Sequence, residues 1–137
     1  MVIQARLPWV GLAVFLLAGS QLAFSGAALA AGPFDGTYVG TQHETVNNNS
    51  SYCSNINRDS IRRVVKDGII TTEWSKATLQ ATIEADGSFA TSAEGMQFGR
   101  AGSNPNPITF RGTIHDGQLE ADVGGAHCAA HWSLRKN

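Results

Sequence analysis

Basic clusters are missing from this chain. Ten Lys and Arg against eleven Asp and Glu give a formal charge of −1, and the basic residues never form a run, so nucleic acid is not an expected partner. An amphipathic helical period is missing too; the periodicity that does appear is the two-residue alternation of strands. Signatures of nucleophilic catalysis are not apparent. There is no Gly-x-Ser-x-Gly elbow, and a bridged cysteine pair would leave no thiol for attack. The Gly-rich stretch GRAG, residues 99–102, does not open a helix, so a phosphate cradle is not indicated. No two carboxylates are marked as converging. The expectation is a non-enzyme with no catalytic residue and no cofactor.

The one long apolar run is at the start. WVGLAVFLLAG, residues 9–19, follows a single charge at Arg6, and Ala28-Leu29-Ala30 supplies the small-x-small pattern of signal-peptidase cleavage. A bilayer-spanning helix needs about 20 apolar residues, more than this run supplies. Residues 1–30 therefore read as a signal peptide, with an uncleaved anchor as the alternative, and residues 31–137 as a single domain. No Cys follows the cut, which argues against a lipid anchor. No further stretch reads as a membrane span. The remaining 107 residues carry nine basic and eleven acidic side chains. Export, to the periplasm or beyond, places Cys53 and Cys128 in an oxidising compartment, where a disulfide between them is expected; two free buried thiols are the other possibility.

Asp-Gly pairs punctuate the chain at residues 35, 67, 86 and 116. A two-residue turn at Asp116-Gly117 sets Ile114 against Leu119 and Phe110 against Val123, so that the apolar faces of ITFRGTIH and QLEADV coincide. The same register places Arg111 against Asp122 on the outer face. A turn at Asp67-Gly68 sets Val65 against Ile70, Ile61 against Trp74, and Arg62 against Glu73. At Asp86-Gly87 a three-residue loop, 85–87, with a left-handed Gly87, is needed to bring Ile83 opposite Phe89. Asp35-Gly36 reads as a turn leading into the first strand. Eight strands result, at 37–46, 60–66, 69–75, 78–84, 88–93, 107–115, 118–123 and 126–134. Eight strands joined mostly by hairpins predict an all-β, antiparallel up-and-down barrel with one disulfide; a two-sheet sandwich is the alternative. The Asn-rich segment 47–59 and the Gly-, Asn- and Pro-rich segment 95–107 read as loops.

FDGTYVG, residues 34–40, resembles the first-strand signature of lipocalins and their relatives, with Gly36-Thr37-Tyr38 in place of Gly-x-Trp. That resemblance implies a basic residue after the last strand packed over the aromatic ring, a part that falls to Arg135. The layout as a whole is similar to uncharacterised small exported β-proteins of proteobacteria, which share the aromatic first strand, repeated Asp-Gly hairpins and a late Cys-then-Trp strand.

His127 and His131 would suit a metal on a helix, but on a strand they stand about 13 Å apart, too far for one ion. Cys128, Ala130, Trp132 and Leu134 share the inner face, so these histidines point outward. His43 could approach one of them if the first strand meets the last. Without a third ligand no metal site is expected. Polar residues on the inner face are more unusual. Arg63 alternates with Ile61 and Val65 and must point inward, where it needs an acceptor, water or a ligand. Gln42 and Glu44 share the parity of Tyr38, which makes Glu44 the expected acceptor. Arg63 reaching water at an open end is the plainer reading. Tyr52, Met96, Phe98 and Arg100 lie in the two loops and are the candidate contacts for a partner; Met96 and Phe98 could equally extend the fifth strand. The expected role is non-enzymatic binding, of a small apolar molecule in the barrel or of a protein through the loops. A small periplasmic inhibitor of a protease or lysozyme is the alternative.

Overall fold

Asp67 and Gly68 take positive φ at 54° and 70°, and Asp116 and Gly117 at 50° and 74°, which is the two-residue hairpin turn whose twist matches that of its strands. Gly87 has φ of 86° and its N–H donates to the Glu84 carbonyl, closing the expected three-residue loop. The third two-residue turn, Ser75-Lys76, also has positive φ at both positions although neither residue is glycine. These turns organise the computed structural model, which describes residues 32–48, 53, 55–99 and 102–137, with the backbone alone at 96–99 and 102–105.

The eight strands are β1 (Gly36–Asn47), β2 (Arg58–Lys66), β3 (Ile69–Trp74), β4 (Ala77–Thr82), β5 (Ser88–Gly99), β6 (Gly102–His115), β7 (Gln118–Gly124) and β8 (Cys128–Lys136). They form one antiparallel sheet in the order β4-β3-β2-β1-β8-β7-β6-β5, so β1 meets β8 and the sheet curls into a nearly closed up-and-down barrel. Near the β4–β5 turn, Glu84 N–H donates across the remaining gap to the Ser88 carbonyl. Register follows the turn chemistry. Ile114 pairs with Leu119, Phe110 with Val123, Arg111 with Asp122, and Val65 with Ile70.

Large apolar side chains make up the core inside the barrel. Trp132, Tyr38, Phe110, Ile70, Leu79, Ile108, Leu119 and Leu134 are fully buried. Phe89, Phe110 and Trp132 stack in a tilted row with ring centroids 5.0 and 5.2 Å apart. Ile56 and Cys53, from the polar β1–β2 connection, join this core, and a Cys53–Cys128 disulfide with Cα atoms 5.5 Å apart ties that connection to β8.

Of the segment 95–107, expected to be a loop, the described residues 95–99 and 102–107 are strand. β5 and β6 stay paired from Ser88↔Thr113 out to Gly99↔Gly102, whereas β7 leaves β6 at Thr109↔Gly124. The ribbon therefore runs on beyond β7 as an arm. Pro105 and Pro107 are compatible with it for a definite reason. Ile114 N–H bonds toward β5, so even-numbered residues of β6 face β5 and odd-numbered ones face β7, where no strand remains at 105 and 107. The missing proline N–H groups cost no ladder bond.

Asp35 does more than lead into β1. Its carboxylate accepts from the N–H groups of Asp67 (2.9 Å) and Gly68 (2.8 Å), capping the β2–β3 turn. The Gly68 bond is the main reason its pKa falls below the ordinary carboxylate value. Tyr38 donates its hydroxyl to the Phe34 carbonyl at 2.6 Å, which fixes the chain entering the barrel.

Candidate functional site

The wall of the barrel parts between β2 and β3. Beyond the turn only Lys66↔Ile69 and Val65↔Ile70 pair, although both strands continue, and the expected Arg62–Glu73 cross-strand pair does not form. Arg62 instead donates to Thr37 Oγ1 on β1 at 3.3 Å. Beyond Val65↔Ile70, Arg63 takes a carbonyl that a continued ladder would use. Its Nη1 donates to the Arg62 carbonyl at 2.8 Å. With Lys66↔Ile69 flanking the turn, even-numbered residues of β2 face β3, so that carbonyl is the one Glu73 N–H would meet in a continued ladder. The arginine side chain occupies its place.

The guanidinium lies in the seam with its carbon 4.3 Å from the centroid of the Trp132 ring, a cation–π contact with a fully buried indole. Trp132 is itself fixed: its Nε1–H donates to Gln42 Oε1 at 2.8 Å, and Gln42 Nε2 donates to the Ile56 carbonyl at 2.5 Å. Arg63 Nε is buried and has no hydrogen-bond partner. Burial pushes the Arg63 pKa down from its ordinary value, yet an arginine stays cationic throughout the physiological range.

Two clefts open along this seam. The inner one, about 410 Å³, is lined by Gln42, Arg58, Ser60, Ile61, Arg63, Glu73 and Trp74. The outer one, about 500 Å³, shares Arg63 and Glu73 with it and adds Arg62, Val64, Thr71 and Thr72. A one-residue bulge in β2, where Gly40↔Ile61 gives way to Gln42↔Arg58, sets Arg58 across from Gln42 at the inner cleft. Three arginines and one glutamate thus face the opening, beside the half-buried Ile61 and Trp74. Val64 is exposed at its outer lip.

Glu44 has the inward parity but is not the acceptor of Arg63; it accepts from Asn47 Nδ2 at 2.9 Å, while its N–H donates to Asn57 Oδ1. Glu44 lies farther along β1, where it pairs with Ala130, whereas Arg63 is level with Tyr38. Arg135 is exposed on β8 and Tyr38 is fully buried; a cation lies over a ring where Arg63 meets Trp132. Met96 and Phe98 lie on β5, opposite Pro105 and Ser103. Tyr52 and Arg100 lie outside the described residues. Gln42 and Trp132 were not singled out as site residues from sequence, although the inward parity of both was readable.

On the outer face, His131 sits between two carboxylates, with Nδ1 2.8 Å from Asp122 Oδ1 and Nε2 2.9 Å from Glu120 Oε2. Carboxylate oxygens only accept, so both bonds form together only with the imidazolium. The bond to Asp122 is the leading cause of a pKa raised above the ordinary histidine value. Glu120 also accepts from Ser133 and Gln118. Burial acts to raise the Glu120 pKa, but these bonds and that from His131 together bring it below its ordinary value. His43 pairs with His131 across β1 and β8. Among the described residues no group of three or more His, Cys, Asp or Glu is placed to hold a metal, and no helix is long and apolar enough to cross a membrane.

Fold and site define an eight-stranded antiparallel barrel with a packed core and an arginine-lined seam in its wall. No family model, curated protein or solved structure matches the chain.

Proposed function

We propose that this protein is an exported, non-enzymatic binding protein that engages its ligand at the β2–β3 seam. The observation that carries this reading is Arg63, a cation held in the wall with a buried Nε that has no acceptor. An unmet buried donor costs about 1–3 kcal/mol, and a scaffold that retains one at the floor of a cleft gains that energy back when a ligand supplies the acceptor. The large side chains buried inside the barrel, Trp132, Tyr38 and Phe110 among them, argue against a large apolar cargo in the lumen and shift the contact to the wall. The Cys53–Cys128 disulfide supports export, since such bonds persist in oxidising compartments. Chemical-shift mapping of the purified protein, titrated with fractions of a periplasmic extract, tests the location. Shifts confined to amides of 58–64 and 71–74 are expected. Shifts confined to other strands, or none, would overturn it.

A second reading, an inhibitor of a protease or lysozyme, is favoured by one observation: the β5–β6 ribbon runs past β7 as an arm that could enter a partner's cleft. Shortening the arm symmetrically at Gln97 and Asn104, which pair, should then abolish inhibition of a susceptible hydrolase and leave melting unchanged.

A further inference from the structure

The seam has a polar pole and an apolar wall. We infer that it takes a small organic carboxylate with an apolar body, the carboxylate pairing with Arg63 and the body lying against Ile61 and Trp74. The inference rests on the seam being the binding site and specifies what it binds.

The geometry of Arg63 carries the argument. A guanidinium offers five N–H donors in a planar fork, and the Nε–Nη2 edge matches the two oxygens of a carboxylate. In this chain Nη1 is committed to the Arg62 carbonyl and one face to Trp132, while Nε has no partner. Arg63 lines both clefts, and a carboxylate entering there would meet the guanidinium donors that the Arg62 carbonyl leaves free. Among the described residues no carboxylate serves as its acceptor; that of Glu44 accepts from Asn47 instead. Glu73 lines both clefts, but the described residues include no ion pair from it to Arg63.

The setting fits an anion with an apolar tail better than a hydrated one. Arg58 and Arg62 add positive charge at the two lips, and Ser60 adds a hydroxyl donor. The inner cleft, about 410 Å³, falls in the range of small-ligand sites, and Ile61 and Trp74 give it apolar surface. Trp132 packs against the guanidinium, and Gln42 holds Trp132, so the cation is positioned before a ligand arrives. Pre-ordering of this kind lowers the entropic cost of binding.

The test uses three probes with one chain length: decanoate, decanol and decylammonium. Binding is read by calorimetry and by the fluorescence of Trp132 and Trp74. Decanoate should bind, decanol about tenfold or more weaker, as expected for loss of a charge-assisted hydrogen bond, and decylammonium not at all. Arg63→Lys keeps the charge and loses the fork, and should weaken decanoate about tenfold. Arg63→Met, similar in volume, should make decanoate no better than decanol. Equal binding of decanoate and decanol by the native protein would overturn the carboxylate assignment and leave the seam as a site. Failure of decanoate to bind would overturn it as well, while amide shifts in the seam with extract fractions would still locate binding there. Wild-type probes alone decide the matter if a variant does not fold.

Discussion

Arg63 and Trp132 meet inside the barrel, the guanidinium carbon 4.3 Å from the ring centroid, and among the described residues no carboxylate completes the pair. The energetic consequence differs from that of a buried ion pair. Truncating one member of such a pair costs about 3–5 kcal/mol, because the other charge is left alone. Arg63→Met loses a cation–π contact of about 0.5–2 kcal/mol but also removes an unmet buried N–H worth about 1–3 kcal/mol. Stability in urea should therefore change by about 1 kcal/mol or less. A loss above about 3 kcal/mol would reveal an anionic partner that the geometry does not contain.

Gln42 is the polar group on which the interior depends most. Its amide satisfies two buried groups at once, the indole N–H of Trp132 and the carbonyl of Ile56. Gln42→Leu keeps the size and removes both bonds. The expected loss is about 2–6 kcal/mol, one penalty for each orphaned group. Urea denaturation gives the number, and near-ultraviolet circular dichroism should show a loosened Trp132. An unchanged midpoint would mean that neither bond is formed in solution.

His131 predicts a pH dependence with a definite sign. Asp122 and Glu120 on β7 raise its pKa in the folded protein, and Arg111 on β6 lines the same cleft from the other side. His43 flanks it on β1 and Ser133 follows it on β8. A raised folded pKa means that the folded state holds the proton more tightly than the unfolded chain. The contribution is complete below the unfolded pKa, about 6.5, and is lost as pH rises through the higher folded value. The side chain is 40% exposed, so solvent screening limits the effect to about 1 kcal/mol or less. Melting temperature should fall slightly between pH 6 and pH 8, and His131→Gln should flatten that slope. A wild-type slope of the opposite sign would contradict the doubly bonded imidazolium.

Much of this fold was readable because glycine-containing turns leave few options. At Asp116-Gly117 and Asp67-Gly68 the turn fixes the register, the register fixes the faces, and both local pairings are found. The disulfide followed from compartment and count. The arm was not readable, because Gly, Asn and Pro ordinarily mark loops; only the ladder parity, with both prolines turned to a vacant edge, shows why a strand tolerates them. Ile56 carried a missed signal, an isolated apolar residue in an Asn-rich stretch, and it is buried against the core. For Arg63 the inward direction was legible and the partner was not. Which residue it faces depends on β1 closing against β8, which brings Trp132 inside beside Gln42. An aromatic ring satisfies a cation without the opposite charge that a search for acceptors looks for.

The seam itself makes the last prediction. In an antiparallel pair, alternate N–H groups point to alternate neighbours, so the parity set at Lys66↔Ile69 turns the amides of Arg62, Val64 and Glu73 toward the gap. Arg63 points to β1, where it is level with Tyr38, and Thr72 points to β4, where it is level with Leu79. Native-state hydrogen exchange should therefore alternate along each strand. Arg62, Val64 and Glu73 should exchange much faster than Arg63 and Thr72, since they lack a ladder partner and the latter two are held by a neighbouring strand. A fully zipped hairpin would instead protect all five alike, and that result would close the seam and remove the site with it. Binding of decanoate should slow the three fast amides selectively if the ligand fills the gap, and leave Arg63 and Thr72 unchanged.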